Sequence, residues 1–265
     1  MNPVFIGGTG RSGTTILKRV LSCHSKVVSL PDELRVIVDP GGALDLISAL
    51  SDHWSPYKAD LAIHHFREIM LACGRSRTSF SVYLKKVEKN LFRKIGFAPR
   101  PYLGMGLGYN FGYAFYHHRL DQLIEDLPYA VTRGSWGGSP FQLRGRIFET
   151  EPRSRQAVEE IMNGFFDDLY AHIAQNGETH WLEDTPYNIL HANELFSLFP
   201  SMRLMHIYRD PRDVLASYLH FTWGGEDCGT AARRLAGIYQ RWFEIRDFTN
   251  NFSEWTVTER KGVHG

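Results

Sequence analysis

Between Gly7 and Thr15 the chain reads Gly-Gly-Thr-Gly-Arg-Ser-Gly-Thr-Thr. An apolar strand, Val4-Phe5-Ile6, runs into it, and Ile16, Leu17, Val20 and Leu21 line one face of the helix that follows. A glycine turn between strand and helix aims successive backbone N–H groups and a helix N-terminus at one point, where they can hold a phosphate. Nucleotide-hydrolysing loops place a Lys directly after the last Gly to reach the β- and γ-phosphates. Here that position is Thr14, and the cation stands earlier, at Arg11. The segment Gly10, Arg11, Ser12, Gly13, Thr14 and Thr15 therefore predicts a phosphate-bearing donor other than ATP or GTP.

A second motif lies far along the chain: Ile207-Tyr208-Arg209-Asp210-Pro211-Arg212-Asp213, with Ser217 further on. A strand ending at Tyr208 sets Arg209 at its C-terminal edge, where open α/β sheets place their ligands. Pro211 fixes a turn, and the next helix brings Ser217 round about two turns later. A guanidinium fork and a hydroxyl can then converge on one phosphate. Two phosphate sites on one sheet suggest a nucleotide phosphorylated at both ends.

On these two motifs the chain resembles the sulfotransferases that use 3′-phosphoadenosine 5′-phosphosulfate (PAPS) and release 3′,5′-ADP. Their 5′-phosphosulfate loop looks like Gly10 to Thr15, and their 3′-phosphate motif looks like Tyr208 to Arg212 with Ser217. The resemblance covers residues 1–40 and 180–245. It implies that Arg209 and Ser217 bind the 3′-phosphate and that Arg11 lies at the 5′-phosphate. Many relatives have Lys at that place, whereas tyrosylprotein and several carbohydrate sulfotransferases have Arg.

Sulfuryl transfer is an in-line displacement at sulfur. It needs an acceptor O–H or N–H, a base for its proton, and positive charge where the leaving phosphate gains negative charge. Fixed cations and N–H groups can supply that charge, so no metal is required. Arg11 is the candidate for the leaving group. Pro31-Asp32-Glu33-Leu34-Arg35 follows the second strand and resembles the segment of tyrosylprotein sulfotransferases in which the second of two acids is the base. Carried over, this makes Glu33 the base and Arg35 its partner or an acceptor contact; the plainer reading is a helix cap with an ion pair. A carboxylate needs partial burial to raise its pKa for this work. One departure stands out. Where those enzymes carry a sulfuryl-touching Lys, Glu183-Asp184-Thr185-Pro186 has Asp184. Either another cation serves or Arg11 acts alone, and Asp184 is a second base candidate or acceptor ligand. His117-His118 is the remaining base candidate.

The elements that must position these residues read as an α/β chain: a three-layer, P-loop-like fold with a central, mainly parallel sheet flanked by helices, plus a mostly helical insert. At 265 residues it is expected to form one sulfotransferase domain over 1–265, with 43–180 as a helical and loop insert on the acceptor side. Strands are expected at Val27–Leu30, His180–Leu182 and Arg203–Tyr208. Helices are expected over Ala157–Ile173, through Leu195 and Phe199, after Asp213, and over Ala231–Phe248. Pro101 to His118 alternates glycines with aromatic rings and reads as an irregular loop, either pinned to the core or lining an acceptor site. Lys85–Lys89 reads as a solvated helix face. The chain stops soon after its last helix, as a truncated member would, and Arg260–Gly265 resembles the start of another 3′-phosphate loop.

The 30 Lys and Arg residues nearly balance the 29 Asp and Glu, which argues against bulk binding to nucleic acid or a membrane surface. The three scattered cysteines and the early first strand point to a reduced, cytoplasmic setting without a leader. The partner is a hydroxyl-bearing acceptor: a small molecule, a carbohydrate, or a tyrosyl peptide. Two other readings remain at this level, an atypical P-loop kinase and a non-catalytic nucleotide-binding homologue.

Overall fold

The computed structural model describes residues 1–75, 105–136, 145–221, 227–247 and 252–257. In chain order the elements are β1 (Asn2–Gly7), α1 (Thr14–Leu21), β2 (Val27–Ser29), a 3-10 turn (Arg35–Ile37), α2 (Ala43–Leu50), α3 (Pro56–Gly74), α4 (Leu107–Asn110), α5 (Tyr113–Asp126), β3 (Ala130–Thr132), β4 (Ile147–Glu149), α6 (Arg155–Ile173), β5 (His180–Glu183), a 3-10 segment (Pro186–His191), α7 (Ala192–Leu198), β6 (Arg203–Arg209), α8 (Pro211–Tyr218), α9 (Cys228–Arg246) and β7 (Phe252–Val257). The chain divides into two compact units, Met1–Leu34 with Ala174–Gly265, and Arg35–Ile173.

The first unit is α/β. Its strands order β2-β5-β1-β6-β7, and every pairing is parallel. Side-chain alternation along β1 explains how helices come to flank both faces. Val4 and Ile6 point to one face, where they join Leu182 and Ile207 and receive Leu17 and Leu21 of α1. Phe5 points to the other. There its ring lies 5.3 Å from Trp181 and 5.4 Å from Phe199, at the end of α7. Further along the same face, His206 of β6 packs 4.8 Å from Trp242 of α9. The sheet is thus the middle of three layers.

The described residues of the second unit are mostly helical, with β3 and β4 pairing antiparallel. The apolar faces of α3 (Ile63, Phe66, Met70), α5 (Leu120, Leu123) and α6 (Met162, Phe165, Phe166, Leu169) are buried. Asp60 of α3 is buried among them, and it accepts from the Phe148 N–H at 2.8 Å and the Trp136 indole at 2.8 Å.

Three expectations need correction. The described part of Pro101–His118 is largely helix, not irregular loop: α4 and α5 begin at Gly106 and Gly112, whose positive φ values (70° and 81°) turn the chain into each helix. Phe111 and Tyr116 are buried there while Tyr109 and Tyr113 are exposed. The helix after β6 is capped by Asp210, whose carboxylate accepts from the Arg212 N–H at 2.9 Å; Asp213 lies inside its first turn. The chain also continues past α9 into β7, which pairs parallel with β6 along its length. Lys85–Lys89, Pro101–Gly104 and Arg260–Gly265 lie outside the described residues. Among the described residues no helix is long and apolar enough to cross a membrane.

Trp181 is 1 % exposed and joins the aromatic layer behind β1. Trp181→Ala is expected to lower the unfolding free energy by about 3–5 kcal/mol in urea titration. Tyr109→Ala, at a ring 84 % exposed, is expected to stay within about 0.5 kcal/mol of the parent.

Candidate active site

The glycine loop leaves β1 in a close backbone approach. Gly8 donates its N–H to the Pro186 carbonyl at 2.7 Å. A Cβ on Gly8 would stand 2.6 Å from the Ile207 carbonyl oxygen and 2.4 Å from the Ser12 hydroxyl, so no larger residue fits without displacing β6 or the loop. Gly13, the residue that caps α1, has φ 113°, a conformation that L side chains avoid. Arg11 is unusual as a non-glycine residue at φ 57°. The loop's polar side chains turn inward: Thr9, Ser12 and Thr14 are all buried, and the Ser12 hydroxyl has no hydrogen-bond partner within the protein. Residues Arg11 to Leu17, with Val20, Ile207 and Arg209, line a cavity of about 470 Å³.

Helix α8 grips the loop from the side. The Tyr218 phenol donates to the Thr9 carbonyl, and burial pushes its pKa well up. Arg11 Nε donates to Ser217 Oγ at 3.0 Å, and the guanidinium lies 4.6 Å from the centre of the Phe221 ring. Residues assigned by resemblance to opposite ends of the donor thus touch each other directly. Arg209 lines the cavity, and its Nε is 3.5 Å from Asp213. Asp210 is taken up by the cap: the Arg212 guanidinium and N–H beside it hold its pKa down at about 2. Within this motif Asp210 caps the helix, while Arg209 faces the cavity.

Glu33 is partly buried in the segment that leaves β2. The peptide groups on its two sides are held from below. The Lys18 ammonium donates to the Asp32 carbonyl at 3.3 Å, and the Leu34 N–H donates to Glu183 Oε1 at 2.8 Å. Arg35 belongs to the other unit, where its guanidinium pairs with Asp39 at 2.9 Å. His117 and His118 lie on α5, also in that unit, and His117 packs 4.3 Å from Tyr113. Asp184 is 2 % exposed and forms an ion pair with Lys18 at 2.7 Å. The counter-ion of Asp184 is thus supplied by α1.

The family model that describes the sulfotransferase family matches residues 3–104 and 116–259. The chain belongs to the sulfotransferase family. Its structure is similar to a sulfotransferase domain from the curacin biosynthetic pathway (15% identity, TM-score 0.45, covering 96% of this chain and 66% of that one). It is also similar to the sulfotransferase STF9 from Mycobacterium avium (14% identity, TM-score 0.38, covering 96% and 58%). The chain therefore spans less than two thirds of the length of either. No curated protein matches it.

Sequence reasoning passed over this family member's buried polar junction. Glu183 is 2 % exposed. Besides Leu34 it accepts from the Thr185 N–H (2.9 Å) and hydroxyl (2.6 Å) and from the Asn188 amide, which also donates to the Ile6 carbonyl at 3.1 Å. Lys18, 6 % exposed, stands three residues before Leu21 on the face that α1 turns to the sheet. A Lys at that phase of an apolar helix face was the available signal. Among the described residues no three His, Cys, Asp or Glu side chains gather into a metal-holding cluster.

Burial pushes the Glu183 pKa above the ordinary 4.5, outweighing the hydrogen bonds from Asn188 and Thr185 that favour the charged form. A raised folded-state pKa means that the folded protein holds this proton more tightly than the unfolded chain does. Its contribution is fully present below pH 4.5 and is lost as pH rises through the raised value. In Glu183→Gln that loss disappears. Unfolding curves collected from pH 4 to 8 are expected to show the gap between parent and variant shifting in the variant's favour as pH rises. A gap independent of pH would count against a raised Glu183.

Proposed function

We propose that this protein transfers a sulfuryl group from PAPS to a hydroxyl acceptor, with Glu33 as general base and Arg11 at the leaving 5′-phosphate. The observation that carries the reading is the cavity lined by both motifs: the glycine loop from Arg11 to Thr15 on one side, Arg209 on the other. The buried Ser12 hydroxyl, without a partner in the protein, is the donor that an incoming phosphate oxygen would meet. Ile16, Leu17 and Val20 give the same cavity an apolar wall, suited to a nucleoside rather than to inorganic phosphate.

The donor supplies an activated S–O bond. The chain's residues then divide the work. The loop N–H groups, with Ser12, Thr14 and Thr15, hold the 5′-phosphate, and Arg11 sets positive charge where negative charge grows on the bridging oxygen. Arg209 and Ser217 hold the 3′-phosphate. Glu33 accepts the acceptor's proton as its oxygen attacks sulfur. Arg35 is the partner of Glu33 or an acceptor contact. No step needs a metal ion. The kinase reading loses support, because Lys18, on the helix that opens at the loop, is paired with Asp184.

The acceptor is a carbohydrate, a phenol or tyrosyl peptide, or another small hydroxyl compound, to be resolved with ³⁵S-labelled donor and one member of each class. In calorimetry, 3′,5′-ADP is expected to bind more tightly than 5′-AMP. Arg209→Ala should weaken 3′,5′-ADP about 10- to 100-fold, as loss of a charge-assisted hydrogen bond does, and 5′-AMP far less. Equal affinity of the parent for the two nucleotides would sink the donor assignment. Glu33→Gln should cut transfer by about 10²- to 10⁴-fold while 3′,5′-ADP binding stays intact; unchanged turnover would remove Glu33 from the reaction.

A further inference from the structure

The two peptide groups that flank Glu33 are each held by a buried charged side chain. On one side the Asp32 carbonyl accepts from Lys18, whose ammonium is fixed by Asp184. On the other the Leu34 N–H is fixed by Glu183. Glu183 and Asp184 are consecutive at the end of β5. Strand alternation sends the first toward the face that carries Asn188 and Phe5, and the second toward the face covered by α1. The segment from Pro31 to Leu34 therefore crosses the end of β5 between two anchors of opposite charge. Lys18 belongs to α1, the helix that opens at the glycine loop. A single rigid element thus links the loop to the backbone of Glu33.

We propose that Lys18, held by Asp184, is a positioning residue for Glu33: it sets the distance between the glycine loop and the carboxylate without touching substrate. The inference rests on Glu33 being the base. An acceptor proton must lie within hydrogen-bond reach of the carboxylate while the acceptor oxygen is in line with sulfur. A displacement of about 1 Å costs on the order of 100-fold in rate. A backbone pinned at one end only would allow such a displacement. The ammonium is also matched to this task, because it neutralises the buried carboxylate with one proton and gives another to the carbonyl.

Removing Lys18 alone would leave Asp184 buried without its counter-ion, so the test removes the charges together. Lys18→Met with Asp184→Asn releases the Asp32 carbonyl. Lys18→Gln with Asp184→Asn is a milder version: the two amides can bond each other but the shorter side chain cannot also reach the carbonyl. In whichever folds, 3′,5′-ADP is expected to bind within about 3-fold of the parent. Turnover of ³⁵S donor onto the acceptor that the parent uses should fall about 100-fold in kcat, with donor KM little changed. Amide exchange over residues 32–35 should speed up while that of β1 does not. Lys18→Arg, which keeps a donor for both partners, should recover most of the lost kcat. In a Glu33→Gln background, removing the pair should cost little more.

A folded double variant with parental kcat overturns the inference, as does a loss that persists in full in the Glu33→Gln background, since the pair would then act apart from the base. These results differ from failure of the base assignment itself. That would appear as full activity in Glu33→Gln, and it would take this inference down with it.

Discussion

Two consecutive carboxylates buried at the end of a central strand impose the constraint around which the α/β unit is arranged. Taking one carboxylate out of water without a partner costs several kcal/mol. Glu183 and Asp184 point to opposite faces, so one partner cannot serve both. The solutions differ in kind. Glu183 is met by neutral donors: a turn that folds back as Thr185 and Asn188, and the Leu34 N–H. Asp184 is met by one full charge, Lys18. Each solution fixes a different neighbour. The first sets the path of the chain after β5 and after β2; the second ties the segment after β2 to α1.

The same junction reaches the glycine loop. Asn188, while serving Glu183, donates to the Ile6 carbonyl, and Pro186 accepts from the Gly8 N–H. The loop therefore leaves β1 already tied to the turn that follows β5. From the other side Tyr218 donates to the Thr9 carbonyl. Held at both flanks, the loop can keep Arg11 in a left-handed conformation that costs of order 1 kcal/mol for a residue with a side chain. Rigid support of this type is what an anion site needs, since its donors must already point inward when the ligand arrives.

Much of this was legible in the sequence, and what was not has physical causes. The parallel sheet, the loop and the Arg209–Ser217 motif carry local signals, glycine spacing and strand-to-turn-to-helix order, and these survive without tertiary information. β7 was missed because it is an edge strand of mixed polarity, Phe-Ser-Glu-Trp-Thr-Val, whose pairing with β6 is non-local. The glycine-aromatic stretch misled because glycine was read as a helix breaker, whereas Gly106 and Gly112 stand where helices start. Lys18 and Glu183 were missed for a third reason. Their meaning lies in contacts between residues 166 and 149 positions apart, and no spacing rule on a single chain reports those. Asp184 departs from the resembled motif in the sequence alone, whereas the Lys18 of α1 that pairs with it is visible only in the fold.

The direct bond between Arg11 and Ser217 gives a reason for Arg rather than Lys in the loop. A planar guanidinium can hold an aromatic face and a hydroxyl at once, because Nε bonds in the plane while the face stacks. Here Nε takes Ser217 and the face takes Phe221. An ammonium on a flexible stem would keep neither orientation. The bond lies at the surface, where water competes for both groups, so its net contribution is small. A phosphate oxygen would compete well for both groups, since it brings a full negative charge that the hydroxyl lacks. Arg11 and Ser217 thus order each other; under the proposed donor assignment, each would turn to its own phosphate with little loss. The arrangement orients the loop cation in advance, while Lys18, on the helix that follows, is committed to the buried acid beside the strand.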